Sequence, residues 1–214
     1  MKKIQGYVYI AIGVALIVLA AILVRYNFNE NAEAGAASEE LLTGVIDQMP
    51  PAVLPEEASG PMPVVDVAGR SFVGTVEIPS LGLLLPVQNQ WSKSNAKLSI
   101  CRYEGSAYDN DLIVCGHNYQ EHFGNLNQLK SGDSVIVTDM NGRSFYYQVT
   151  NIETLGAYDS FEMEEGDWDF TMFTCTVGGA NRVTVRCEAT GQTSETGAEP
   201  DVLKAVRYSR HKSK

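Results

Sequence analysis

Between Arg70 and Thr190 the chain alternates apolar and polar positions, or clusters β-branched residues, in short runs at Phe72–Ile78, Leu83–Val87, Asp111–Gly116, Ser134–Asp139, Ser144–Leu155, Phe170–Cys175 and Arg182–Ala189. A period of two places one set of side chains on each face of a strand, so these runs predict an all-β domain. The segment Asp139-Met140-Asn141-Gly142-Arg143 places Asn-Gly between two good strands. That dipeptide favours the positive-φ conformations of a tight hairpin, so Ser134–Asp139 and Ser144–Val149 are expected to pair antiparallel. Only Phe123–Lys130, FGNLNQLK, has helical spacing, with Phe123, Leu126 and Leu129 on one face and Ser131-Gly132-Asp133 as its stop. Seven or eight short strands over residues 70–190 predict a closed barrel or a sandwich.

The N-terminal pattern is different. Tyr7 to Val24, YVYIAIGVALIVLAAILV, is 18 residues without a charge. At about 1.5 Å per residue this spans roughly 27 Å, close to the hydrocarbon thickness of a bilayer. Lys2 and Lys3 precede it, and acidic residues dominate from Glu30 to Asp66. The positive-inside rule then places the N-terminus in the cytoplasm and the remainder outside. A cleaved signal peptide ending at Ala32-Glu33-Ala34 is the competing reading, but the apolar run is longer than such a peptide uses, which favours an uncleaved signal-anchor. Residues 27–69 are acidic and hold Pro50, Pro51, Pro55, Pro61 and Pro63, a composition that reads as an extended stalk, with Leu41–Ile46 as a short amphipathic helix within it. Residues 191–214 run from small and polar to basic, ending in Lys204, Arg207, Arg210, His211, Lys212 and Lys214, and read as a frayed tail; no second apolar span follows the domain.

Composition narrows the function classes. With 44% apolar and 20% charged residues the chain supports a packed core, and 26 acidic against 16 basic residues, a net charge of −10, exclude a general nucleic-acid binder. The cysteines at 101, 115, 175 and 187 form no CxxC pair and are too few for a disulfide scaffold.

Judged singly, Cys175 stands out. It ends the strand Thr171–Cys175, TMFTC, and precedes the loop Thr176–Asn181, which leaves its thiol accessible, as a nucleophile requires. Arg182 opens the next strand, and a hairpin brings it back beside Cys175. Arg182, Thr184 and Arg186 fall on one face of that strand and Val183, Val185 and Cys187 on the other. The apolar strand Leu112–Gly116 delivers His117 at its end, where an imidazole can donate or accept a proton near neutral pH. The ordinary readings are a core cysteine, a hydrogen-bonded histidine and a solvated strand arginine. They suffice for Cys101 and Cys187, and for Cys115 in its valine-rich strand. A zinc site drawn from Cys115, His117, His122 and Cys175 fits no ordinary ligand spacing, so no metal is expected.

Gly116-His117-Asn118, then FGNLNQL and Gly132-Asp133, then TMFTC and Arg182 before VTVRC, in that order over residues 71–190, resemble the sortases. Their hallmark T-L-x-T-C is matched with Met172 in place of Leu, a volume-conserving exchange. The resemblance implies an eight-stranded closed β-barrel on one N-terminal transmembrane helix, on the outer face of a Gram-positive cell. It implies that Cys175 attacks a backbone amide of an LPxTG-like sorting signal to give a thioacyl enzyme, that His117 moves protons, and that Arg182 holds the substrate carbonyl, helped by Thr174. The partners it implies are that peptide and an amine acceptor such as a peptidoglycan precursor or a pilin lysine. Asn118 joins the expected substrate contacts. So do Tyr158, Phe161 and Trp168 of the 156–169 segment, which lies where the family grips substrate and which also carries Met163 and six acidic residues. No cofactor is required; some members use calcium, for which no ligands are identifiable here. The loop between Cys175 and Arg182 is shorter than in many members, and the C-terminal span and Asp-Pro-aromatic lid of pilin-polymerising members are absent, so the subclass stays open. Two other classes share these features: a cell-wall cysteine hydrolase, in which water resolves the acyl enzyme, and a non-catalytic extracellular barrel that binds peptide.

Overall fold

A computed structural model describes residues 2–50 and 60–190. The chain divides into two compact units, Met1–Glu33 and the residues from Ala34 onward. Helix α1 is Lys2–Gln48. Within Met1–Glu33 it is long and apolar, and Tyr7, Ile10, Leu16, Ile17 and Leu23 are all exposed.

Residues 27–48 are therefore helical, where composition predicted an extended stalk. The five prolines cited for the stalk all lie at position 50 or later, and the proline-free half is rich in Ala, Glu and Leu, good helix formers. Its last turns are also held by tertiary contact: Val45 and Met49 are buried with Val67, Phe72 and Met140, with Leu41 packed beside them. Each such side chain taken fully out of water contributes about 1.5–3 kcal/mol. Pro51 and Pro55 and the basic residues of the tail lie outside the described residues.

Among the described residues there are nine strands: β1 Val65–Val67, β2 Arg70–Ile78, β3 Leu83–Gln88, β4 Ile100–Glu104, β5 Leu112–Gly116, β6 Ser134–Asp139, β7 Ser144–Gly156, β8 Phe170–Cys175 and β9 Asn181–Ala189. Neighbours run β2-β3-β4-β5-β8-β9-β7-β6, and β6 pairs back onto β2, which closes an eight-stranded barrel. The short β1 adds to the Arg70–Phe72 end of β2. Two pairs are parallel, β3 with β4 and β5 with β8; the others are antiparallel. All seven expected strands form. Strand β4 and the short β1 were not foreseen.

The barrel interior is filled by alternate residues of these strands, among them Val76, Ile78, Leu112, Val114, Val135, Val137, Phe170, Met172, Val185 and Cys187. The 123–130 segment plugs it with Phe123, Leu126 and Leu129, all buried as their spacing predicted, although only Leu126–Gln128 is helical and that is one 3₁₀ turn. The β6–β7 hairpin has the expected register, from Ser134 opposite Gln148 to Thr138 opposite Ser144. Gly142 sits at φ 77°, and the Asp139 carboxylate closes the turn by accepting from the Asn141 and Arg143 amides at 2.8 and 2.9 Å.

Candidate active site

Strand pairing brings the three expected residues to one end of the barrel. In the parallel β5–β8 pair Gly116 lies opposite Thr174, so His117, which follows Gly116 out of β5, comes beside Cys175, the last residue of β8. In the antiparallel β8–β9 pair Cys175 lies directly opposite Arg182. His117, Cys175 and Arg182 all line one cavity of about 300 Å³.

Of the four free cysteines only Cys175 is half-buried; the others are buried. Burial pushes the Cys101 thiol up to about 12, and pushes Cys115 and Cys187 further up. A thiol held protonated in the core is a poor nucleophile, so accessibility singles out Cys175. The loop behind it is a closed turn. The Thr176 amide donates to Asn181 O at 2.9 Å, the Asn181 amide to Thr176 Oγ1 at 3.1 Å and the Gly179 amide to Thr176 O at 2.8 Å. Arg182 Nη1 donates to Gly179 O and Asn181 O, both at 3.1 Å. These bonds tie one end of the guanidinium to the turn and leave the other N–H groups of the fork for a ligand.

His117 is half-buried, its ring 5.1 Å from that of Tyr119. Residues 117–124 fold back tightly: the Phe123 amide donates to His117 O at 3.2 Å, and the amides of His122 and Gly124 both donate to Tyr119 O. Gly124 is required there, because a Cβ would stand 2.6 Å from the carbonyl oxygens of Asn118 and Tyr119. The FGN glycine thus sets how the histidine loop closes.

The remaining wall is mainly apolar: Trp91, Ala96, Tyr103 and Phe173 line it together with Cys115 and Met163. Tyr103 meets Phe173 edge-on at 5.3 Å. Cys115, buried as expected, also contributes to the wall. From the 156–169 segment Gly156, Ala157, Asp159 and Met163 reach that wall, Met163 being its large apolar side chain. Tyr158 is 96% exposed, Asn118 is exposed, and Trp168 packs against Arg186, so none of the three lines the cavity. The Phe161 side chain lies outside the described residues. Thr174 is buried, and strand alternation turns its hydroxyl to the face opposite Cys175 and Phe173. Phe173 was readable from the parity it shares with Cys175; Trp91 and Tyr103 had no comparable signal, because β4 was unrecognised. Among the described residues no group of three or more His, Cys, Asp or Glu is placed to hold a metal ion.

A closed barrel thus gathers an accessible thiol, an imidazole and a guanidinium around one cavity, the set of groups that acyl transfer through a thiol can use. The sequence model of the Sortase domain matches residues 76–190. No curated protein matches the chain. Among solved structures, sortase C1 of Streptococcus agalactiae is 27% identical with a TM-score of 0.52, over 59% of this chain and 72% of that one. The lid mutant of sortase A from Corynebacterium diphtheriae is 20% identical with a TM-score of 0.53, over 77% of this chain and 95% of that one. Sortase C from Clostridium perfringens SM101 is also 20% identical, with a TM-score of 0.50 over 77% and 91%. With more than half of its length matched by the family model, the chain belongs to the sortase family.

Proposed function

We propose that this chain is a membrane-anchored cysteine transpeptidase that cleaves an LPxTG-like sorting signal and passes the attached surface protein to an amine of the cell wall or of a pilin. The observation that carries this reading is the convergence of Cys175, His117 and Arg182 on one cavity. The Cys175 sulfur, as thiolate, attacks the carbonyl carbon of a backbone amide. A C–S bond forms, the C–N bond breaks, and His117 gives its proton to the departing amine. The incoming amine then attacks the thioester, loses its proton to His117, and expels the Cys175 thiolate. Arg182 donates to the carbonyl oxygen as it becomes an oxyanion, where a positioned charged donor lowers the barrel site's barrier most. The apolar wall of Trp91, Tyr103, Phe173 and Met163 holds the peptide's apolar side chains and keeps water from the thioester. The apolar part of α1 spans the membrane, with the N-terminus inside and the barrel outside. The chain's own chemistry needs no metal or organic cofactor for these steps.

The test is product analysis with the full chain in detergent, an LPxTG-like peptide and a primary amine. A peptide–amine conjugate is expected. Hydrolysis alone, at every amine concentration, overturns the transpeptidase reading in favour of a cysteine hydrolase.

A further inference from the structure

Arginine on a barrel strand ordinarily faces solvent, yet Arg186 of β9 is only 2% exposed. A buried guanidinium is costly unless its donors are matched, and here four of its five N–H groups are. Nε donates to Glu153 Oε1 of β7 at 2.8 Å, and Nη1 donates to Thr171 Oγ1 of β8 at 3.2 Å. The other two bonds leave the barrel wall: Nη1 donates to Met163 O at 2.7 Å and Nη2 to Glu162 O at 2.6 Å. Both carbonyls belong to helix α2, Ser160–Glu164. A helix this short leaves its carbonyls without helical partners, and a cation that accepts that role holds it by charge-assisted bonds. The Trp168 ring, 5.9 Å from Arg186 Cζ, adds a contact beyond the helix. The segment that Arg186 ties down carries six acidic residues from Asp159 to Asp169, whose mutual repulsion the buried cation offsets. Thr184, one step along the same face of β9, donates to Met163 Sδ at 3.9 Å. Met163, held from both sides, forms part of the cavity wall beside Cys175.

We propose that Arg186 is a positioning residue that clamps the 157–168 segment onto the outer face of β8 and β9 and so fixes Met163 as a wall of the catalytic cavity. Selectivity for the peptide side chain that enters the cavity then depends on a guanidinium that does not line it. This rests on the acyl-transfer reading for its functional half; the clamp itself does not.

The experiment compares Arg186→Lys and Arg186→Gln with the wild-type full chain in detergent. Amide hydrogen exchange over residues 157–168 is expected to quicken by about tenfold to hundredfold, the range set by losing charge-assisted bonds, while β2 and β3 are unchanged. With LPxTG-like peptides carrying leucine or alanine at the first position, KM for the leucine peptide is expected to rise and the leucine preference to shrink. The rate of Cys175 alkylation by a small electrophile should stay the same. Arg186→Lys, which keeps the charge and loses the fork, should fall between wild type and Arg186→Gln. Met163→Ala should remove the leucine preference by itself, and adding Arg186→Lys to it should remove nothing more. If the Arg186 variants do not fold, Glu153→Gln loosens the clamp from its half-exposed partner and is expected to quicken exchange of the same segment. Unchanged exchange in a folded variant, or unchanged preference in an active one, overturns the proposal. A wild-type chain that turns over no peptide overturns the acyl-transfer reading and with it the selectivity half, while the exchange measurement still decides the clamp.

Discussion

His122 lies in the loop that carries His117, is fully buried, and has no hydrogen-bond partner of good geometry on either ring nitrogen. Its surroundings are the Tyr119 ring at 5.5 Å, His117, whose charge opposes a second one, and the Ala34 backbone, near enough to offset a small part of the burial penalty. Burial holds its pKa down from the ordinary 6.5 to about 4. Below pH 6.5 the unfolded chain therefore takes up a proton that the folded chain refuses. The stability this residue permits is complete above about pH 6.5, falls by about 1.4 kcal/mol per pH unit below that, and levels off near pH 4. The total loss is about 3 kcal/mol, a large part of the 5–15 kcal/mol typical of a domain. His122→Phe keeps a ring, gives up only the weak approach to the Ala34 backbone and cannot titrate. Urea unfolding can be followed by tryptophan fluorescence, since Trp91 and Trp168, the chain's two tryptophans, both belong to the barrel unit. Above pH 7 the variant should be at least as stable as wild type. Towards pH 4.5 its advantage should grow by about 2–3 kcal/mol, the carboxylates common to both chains cancelling in the difference. A stability difference that stays constant over this range refutes the reasoning.

Three further outcomes are expected. Arg182→Lys keeps the charge but loses the forked donor and should lower kcat about a hundredfold, whereas His117→Ala should cost about 10²–10⁴; wild-type turnover in either variant removes that residue from the site. Gly124→Ala drives a methyl into the Asn118 and Tyr119 carbonyls and should cost about 1–3 kcal/mol while displacing His117, seen as lowered Tm and lowered kcat together; an unchanged Tm counts against the close approach. Protease added to intact cells should release the barrel from the membrane, and a barrel protected from that protease contradicts the proposed orientation.

The barrel strands were legible because each has one buried face and therefore alternates. Strand β4 was not: of Ile100–Glu104 only the first two residues are buried, and a bulge between Arg102 and Glu104 breaks what period is left. The helical half of the supposed stalk was hidden by pooling it with the proline-rich half. The pairing of Cys175 with Arg182 was legible because a hairpin fixes it locally, whereas His117, though legible as a strand end, reaches Cys175 only through the parallel pairing of β5 with β8. The cavity wall was less so. Trp91 precedes the unrecognised β4 and Tyr103 lies within it, and β4 reaches the site only through its pairing with β5. Tyr158 and Trp168 had the right chemistry in the right segment, but which of its side chains turns inward is decided by the bonds to Arg186, a tertiary contact that no local pattern encodes.

The most direct test of the central claim is the mass of the intact chain, quenched with acid during turnover of an LPxTG-like peptide without an acceptor amine. The account predicts an added mass equal to the peptide's N-terminal acyl fragment, located by digestion on the segment containing Cys175, absent in Cys175→Ala and retained in Cys115→Ala. An adduct that survives in Cys175→Ala, or peptide cleavage by that variant at the wild-type rate, contradicts it.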